Sequence, residues 1–461
     1  MSEAYRDFME RTAGESFNTE RIKTFASNIS RYNQFVEEGK KQYKNLELAK
    51  ERATFIKNNV INDLPKYLVQ FENNFQSRGG KVIWAQDAEE AVNEIAQIIK
   101  KYNTPEITKD ANLISDEIFL QQNIGAYKLK TLDYSLFMNE GKKETTTHTV
   151  NRAIEQSHAQ IFDLIKEKLK LAPQTKPEQL IKELNNELKK RALASDICIT
   201  GSNFLIADTG GVSVVENEGT SALAIAFSKV HIVLAGVETV IPKLTDLHLF
   251  FPLYSTYATG KKLSVFSSIY TGPQQSKENE GPKEMYVVLL DNGRSEILEQ
   301  KNQRRALSCI QCGACSNACP VYKTIGGETY NTTYNGPIGA VVSPWLKGVN
   351  DYKHLTYASS ICGACTLVCP VNINIHELIL HNRNYIAKNK KKFLRRMERF
   401  MMFLLSFLMV KRTRLDWLKA KNKNKYLATY IFRSWKDKRS IPQFAEKSFN
   451  QLWQEKYGLK K

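Results

Sequence analysis

Seven of the chain's eight cysteines fall in two stretches, CIQCGACSNACP at 309–320 and ICGACTLVCP at 361–370. In the first, Cys309, Cys312, Cys315 and Cys319, followed by Pro320, have the spacing C-x2-C-x2-C-x3-C-P, a known bacterial iron–sulfur ligand run. Three closely spaced thiolates of such a run wrap one cubane, while the fourth, beyond a short helical turn and before a proline, serves the neighbouring cluster. Two runs therefore exchange their last cysteines. The first cluster is expected on Cys309, Cys312, Cys315 and Cys369, and the second on Cys319, Cys362 and Cys365. The second set is one thiolate short, because the position three before Cys362 is Ser359. That site is expected to hold a [4Fe–4S] cluster completed by a non-cysteine ligand, such as the oxygen of Ser359 or Ser360, a water or a partner's group, or else a [3Fe–4S] centre.

Four thiolates can also hold a structural zinc ion. Zinc ribbons present C-x2-C pairs, whereas triplets ending in Cys-Pro, met twice, favour iron–sulfur chemistry. The pairs Gly313–Ala314 and Gly363–Ala364 fit it too, since small residues let backbone amides approach cluster sulfides. The eighth cysteine, Cys198, lies in the apolar run DICIT and reads as a small core hydrophobe. The histidines are scattered and read as non-ligands; His376, shortly after the second run, is the one placed for a polar role near a cluster. No G-x-G-x-x-G and no P-loop offers a nucleotide cofactor site. TGG at 209–211 and NEG at 217–219 read as tight turns in a sheet, with a small anion at their amides as the alternative.

The elements that must position these cysteines follow from periodicity. Residues 1–73 are charged, with apolar residues at helical spacing, such as Phe25, Ile29 and Tyr32. KVIWA at 81–85 reads as a buried strand and 87–101 as an amphipathic helix. Between about 74 and 298, short β-branched runs alternate with helical stretches at 152–170 and 177–193, which predicts an α/β domain with a mixed sheet. A helical two-cluster region over 299–385 and a basic helical region over 386–461 complete the expected domains. From His381 onward there are 23 Lys and Arg against 5 Asp and Glu, which alone equals the whole chain's formal net charge of +18. Such a tail suits an anionic lipid surface or an acidic partner. Nucleic acid is not expected, because no nucleic-acid module accompanies the charge. The sequence shows no secretory signal and no apolar run long enough to span a bilayer, FMMFLLSFLMV at 400–410 being too short. A reducing, cytoplasmic setting is expected, where clustered cysteines bind metal.

Three stretches carry a resemblance: SNFLIADTGGVSVVENEG with VHIVLAGVETVIP, CIQCGACSNACPVY followed by GPIGAVVSP, and ASSICGACTLVCPVNI. Together they resemble the iron–sulfur lactate utilisation protein B family over about 50–455, including the Ser-Ser before the three-cysteine run. The resemblance implies an α/β domain similar to ribose-5-phosphate isomerase and CoA-transferase relatives, followed by a helical domain with two [4Fe–4S] clusters on the seven cysteines. It implies an electron-transferring component, non-catalytic alone, of a system oxidising L-lactate to pyruvate. The partners it implies are a cysteine-rich-domain protein and a smaller α/β protein; a quinone or another acceptor is expected to take the electrons, and the basic segment to allow a peripheral contact with the inner face of the membrane. The chain departs from the family pattern at TKDANLISDE (108–117), LDYSLFMNEG (132–141) and ETTTHTVNRA (144–153). Two other readings compete: the electron-transfer subunit of a glycerol-phosphate or heterodisulfide-reductase-like oxidoreductase, and a cluster-containing ligand-binding or redox-sensing protein.

Overall fold

The runs ICIT, VHIVLAG and MYVVLL offer no polar face, the pattern of strands covered on both sides. In the computed structural model they form β4 (Ile197–Gly201), β7 (Val230–Gly236) and β10 (Glu284–Leu290). The structure describes residues 2–102, 106–125, 127, 129–132, 154–389, 392–411, 414, 419–426, 428–429 and 440–458. With β1 (Lys81–Ala85), β2 (Ile107–Lys109) and β3 (Leu129–Thr131), these strands make a six-stranded sheet ordered β1-β10-β7-β4-β2-β3. Every neighbouring pair in it is parallel.

The mixed character expected of the domain resides in a second, smaller sheet. It contains β5 (Phe204–Ile206), β6 (Gly211–Glu216), β8 (Val240–Ile241) and β9 (Phe266–Tyr270), ordered β8-β5-β6-β9. Here β5 pairs antiparallel with β6 and parallel with β8. TGG does form the turn joining β5 to β6: Gly210 sits at φ +63°, and a Cβ there would lie 2.4 Å from the Phe75 backbone nitrogen. NEG instead ends at Gly219, which caps the helix Thr220–Phe227.

Side-chain alternation splits the core into layers. Ile232 and Leu234 of β7 pack with Ile95 and Ile99 of the helix Ala88–Tyr102, while Val233 and Ala235 face Phe71 and Phe75 of the helix Leu64–Ser77. β1 departs from the expected buried strand: as an edge strand it has one neighbour, and Trp84 is 44% exposed with its indole N–H donated to Glu72. The helix expected from 152 starts at His158, because Ser157 and Gln160 form a capping box; 152 and 153 lie outside the described residues. Pro177–Leu193 is helical as read.

Residues 1–386 form one compact unit and 387–461 another. Within the first, the N-terminal helices are welded to the cysteine region through aromatic contacts. Phe8 of Glu3–Glu15 meets Tyr330 and His354, and Phe25 of Thr19–Lys40 meets Tyr322 edge-on. A buried polar group ties the sheet to the same region. Arg294 holds Glu117 through both terminal nitrogens at 2.8 Å, Glu238 at 2.6 Å and the Tyr334 hydroxyl at 3.0 Å. In the second unit the helix Lys392–Val410 runs longer than the three turns expected, and Phe400, Met401, Met402 and Phe403 are exposed on it. Among the described residues, no helix is long and apolar enough to cross a membrane.

Candidate metal centres

The two cysteine runs fold alike because their backbones take the same unusual turns. Gln311 and Ile361, each just before a cysteine, have φ +58° and +55°; Gly313 and Gly363, just after, have φ +75° and +81°. Left-handed φ at the second pair is what demands glycine. A Cβ on Gly363 would meet no atom within 4 Å, so there the requirement is conformation rather than room. Each glycine then caps a short helix, Ala314–Ala318 or Ala364–Leu367. Pro320 opens the next helix, where its missing N–H costs nothing.

The thiols gather in two groups. Burial is the main influence on six of them, pushing Cys309 up to about 12 and Cys365 up to about 11, and raising Cys312, Cys315, Cys319 and Cys369 as well. Cys312 and Cys315 are then raised further by Cys309 and Cys369, and Cys309 by Cys369. Cys319 is raised by Cys362, and Cys365 by Cys319 and Cys362. Cys362 is exposed, and the Ala364 amide and the Ser360 hydroxyl lower its thiol. These mutual influences link Cys369 to the first three cysteines of the first run, and Cys319 to the second run.

Backbone amides face the sulfurs. The Gln311 N–H donates to Cys309 Sγ at 3.3 Å and the Ile373 N–H to Cys369 Sγ at 3.3 Å. Among the described residues, no three His, Cys, Asp or Glu side chains converge closely enough to hold a single metal ion. A cubane needs no such convergence, since each thiolate binds a different iron corner. Polar atoms beside the cysteines also suit a cluster. Among the described residues, Ser308 Oγ, Ser316 Oγ and Tyr330 OH are buried without a hydrogen-bond partner, and Tyr330 feels both Cys319 and Cys315. Each such group costs about 1–3 kcal/mol unless a partner satisfies it, and cluster sulfides are acceptors of the kind missing here. Burial alone would leave these thiols protonated; iron displaces the protons and supplies the counter-charge.

Among the described hydrogen bonds, His376 makes none to a cysteine. Its Nδ1 lies 2.7 Å from Thr366 Oγ1, which braces the second run from behind. Cys198 is fully buried with Leu132, Ala192, Ala224 and Ile225, the core role read for it.

A cavity of about 350 Å³ opens at the carboxyl ends of β2 and β4 and reaches the first cysteine run, with Lys57, Asp110, Asn112, Glu216, Cys309 and Gln311 among its lining. This is the edge of a parallel sheet where α/β proteins bind ligands. Asp110 accepts the Gly201 N–H at 3.1 Å and the Asn112 amide at 2.6 Å, yet burial pushes its carboxyl up to about 7. Lys57 Nζ donates to the Glu238 and Val240 carbonyls at 2.6 and 3.3 Å, and burial lowers it to about 8. The sequence reading missed this site. Its signals were TKDANLISDE, singled out as a departure, and NEG at 217–219, whose Asn217 and Glu218 line the cavity; the other two departing stretches, 132–141 and 144–153, lie outside the described residues apart from Leu132.

Comparison with known proteins joins these parts. The model of the LUD domain matches residues 68–290, and that of the 4Fe-4S dicluster domain matches 305–373. Lactate utilization protein B of Bacillus velezensis is 38% identical over 355 residues, covering 74% of this chain and 72% of that one. The chain belongs to the lactate utilization protein B family. The family member of Bacillus subtilis is 39% identical over 337 residues, 72% of this chain and 70% of its own, and that of Geobacillus sp. is 38% identical over 340 residues, 73% and 71%. The cofactors of the cysteine region are accordingly two [4Fe–4S] clusters.

Proposed function

We propose that this protein is the iron–sulfur electron-transfer component of a multi-protein system that oxidises L-lactate to pyruvate. We assign Cys309, Cys312, Cys315 and Cys369 to the first cluster and Cys319, Cys362 and Cys365 to the second. The observation that supports the reading is that Cys369 bears on the thiols of the first run and Cys319 and Cys362 bear on each other or on Cys365, with Cys362 exposed. When bound, the clusters supply one-electron redox chemistry. The protein's own residues bury the first site, aim amides at its sulfurs and leave the second beside exposed Leu367, where a partner can dock. The relatives' names support lactate as the system's substrate. The cysteine-rich-domain protein and the smaller α/β protein are the partners we assign, with a quinone as acceptor. The basic unit after residue 386 gives the contact with an anionic membrane face. The test is to purify the chain without oxygen, add both partners and L-lactate, and follow cluster reduction by EPR. Reduction only with all components present is expected; clusters that no combination reduces overturn the proposal.

A second reading is favoured by the cavity. Asp110, Asn112 and Lys57 beside Cys309 make a polar site where a small hydroxy acid, or its oxo product, would lie next to the first cluster. Calorimetric titration with L-lactate and with pyruvate tests it. Binding weakened at least tenfold by Asp110→Asn is expected, whereas no binding of either compound leaves the chain an electron conduit alone.

A further inference from the structure

In the assignment proposed above, on which this inference rests, the second cluster has three cysteines, and the two runs place left-handed residues at matching positions. Ser359 stands to the second run as Cys309 stands to the first, three residues before the next cysteine. The hydrogen bonds follow the same register. The Ile361 N–H donates to Ser359 Oγ at 3.2 Å, as the Gln311 N–H donates to Cys309 Sγ at 3.3 Å. Both donors lie in the left-handed region, at φ +55° and +58°, and both are followed by a cysteine and a left-handed glycine. Ser359 Oγ therefore occupies the place in its turn that a cluster-binding sulfur occupies in the other.

We propose that Ser359 Oγ is the fourth protein ligand of the second cluster. On ligation the Oγ–H bond breaks, its proton leaves to solvent, and an Fe–O bond forms with no change in electron count. Two features stabilise the resulting alkoxide. The Ile361 N–H already points at the oxygen, and Arg383 braces the backbone on which it is carried. Its guanidinium donates to the Ser359 carbonyl at 2.9 Å and to the Thr356 carbonyl at 2.9 Å. Ser360 is the competing oxygen. It is exposed, lies one residue out of register, and directs its hydroxyl to Cys362.

An oxygen ligand is harder than a thiolate and favours the more oxidised iron, so it distinguishes one corner of the second cluster and lowers its potential relative to an all-thiolate cubane. The test compares the full chain with Ser359→Ala, Ser359→Cys and Ser360→Ala, each purified without oxygen, by iron count, Mössbauer spectra and EPR-monitored redox titration. The expected wild type holds about eight irons, one of them with a distinct Mössbauer signature. Ser359→Ala is expected to lose one iron and show an EPR signal when oxidised, while Ser360→Ala matches wild type. Ser359→Cys is expected to keep all the iron, lose the distinct signature and shift the second centre to higher potential. Three results overturn the proposal: a wild type with about seven irons, a Ser359→Ala protein spectroscopically identical to wild type, or Ser360→Ala producing the loss instead. If Ser359→Ala fails to fold, Ser359→Cys still decides, since an unchanged wild-type Mössbauer signature in it excludes Ser359 as ligand.

Discussion

At the scale of single residues, the buried charges set the largest effects. The Arg294 guanidinium is 2% exposed and sits between Glu117 and Glu238. Burial opposes the ionised Glu117, but the guanidinium wins and holds its carboxyl below the usual range. Arg294→Met strands two carboxylates and is expected to cost about 3–5 kcal/mol in chemical denaturation; a loss below about 1 kcal/mol contradicts the role given to it. The cavity aspartate gives a pH signature. Because Asp110 is raised to about 7 in the fold against about 3.9 unfolded, its contribution to stability is complete below about pH 4 and is lost as pH rises through 7. Relative to wild type, Asp110→Asn should gain stability between about pH 4 and 7, by up to roughly one kcal/mol per unit. His231 has the opposite sign. Burial lowers it to about 3, so its contribution is complete above about pH 6.5 and is lost as pH falls toward 3. Thr200 Oγ1 at 2.8 Å is the hydrogen-bond partner of its Nε2, and His231→Gln should flatten that acid-side slope.

At the scale of elements, the cysteine turns and the strands were legible in the sequence for different reasons. Ligand spacing is nearly invariant to the surrounding fold, so the two cysteine turns could be aligned by counting, and β-branched runs such as VHIVLAG announced buried strands. The split into two sheets was not legible, because β5 and β8 pair across 33 intervening residues and each spans three residues or fewer. Nor was the Arg294 group, whose partners lie 40 to 177 positions away. The cavity escaped for the same reason: it joins the end of β2 to a cysteine run about 200 residues later. Glycine conformation yields a prediction at this scale. Gly363→Ala meets no steric obstacle but must hold φ near +81°, at about 1–2 kcal/mol. It is expected to release iron from the second cluster faster in a chelator assay while sparing the first. Equal release from both clusters contradicts independent turns.

At the scale of the molecule, the first compact unit contains all seven cluster cysteines, and the second contains most of the basic excess. Ending the chain at Lys388, the close of the helix Ile375–Lys388, should leave iron content unchanged and abolish sedimentation with anionic vesicles. Loss of iron on that truncation would assign the basic region a structural part. The proposed electron-transfer role rests on two distinct clusters, each taking one cysteine from the other's run, and that claim is central. The direct measurement is an EPR redox titration, with iron and sulfide analysis, of the anaerobically purified chain and of Cys319→Ala and Cys369→Ala. The account predicts about eight irons and eight sulfides in the parent, two reducible centres, and loss of a different centre in each variant. Zinc in place of iron, or depletion of the same centre by both substitutions, would contradict it.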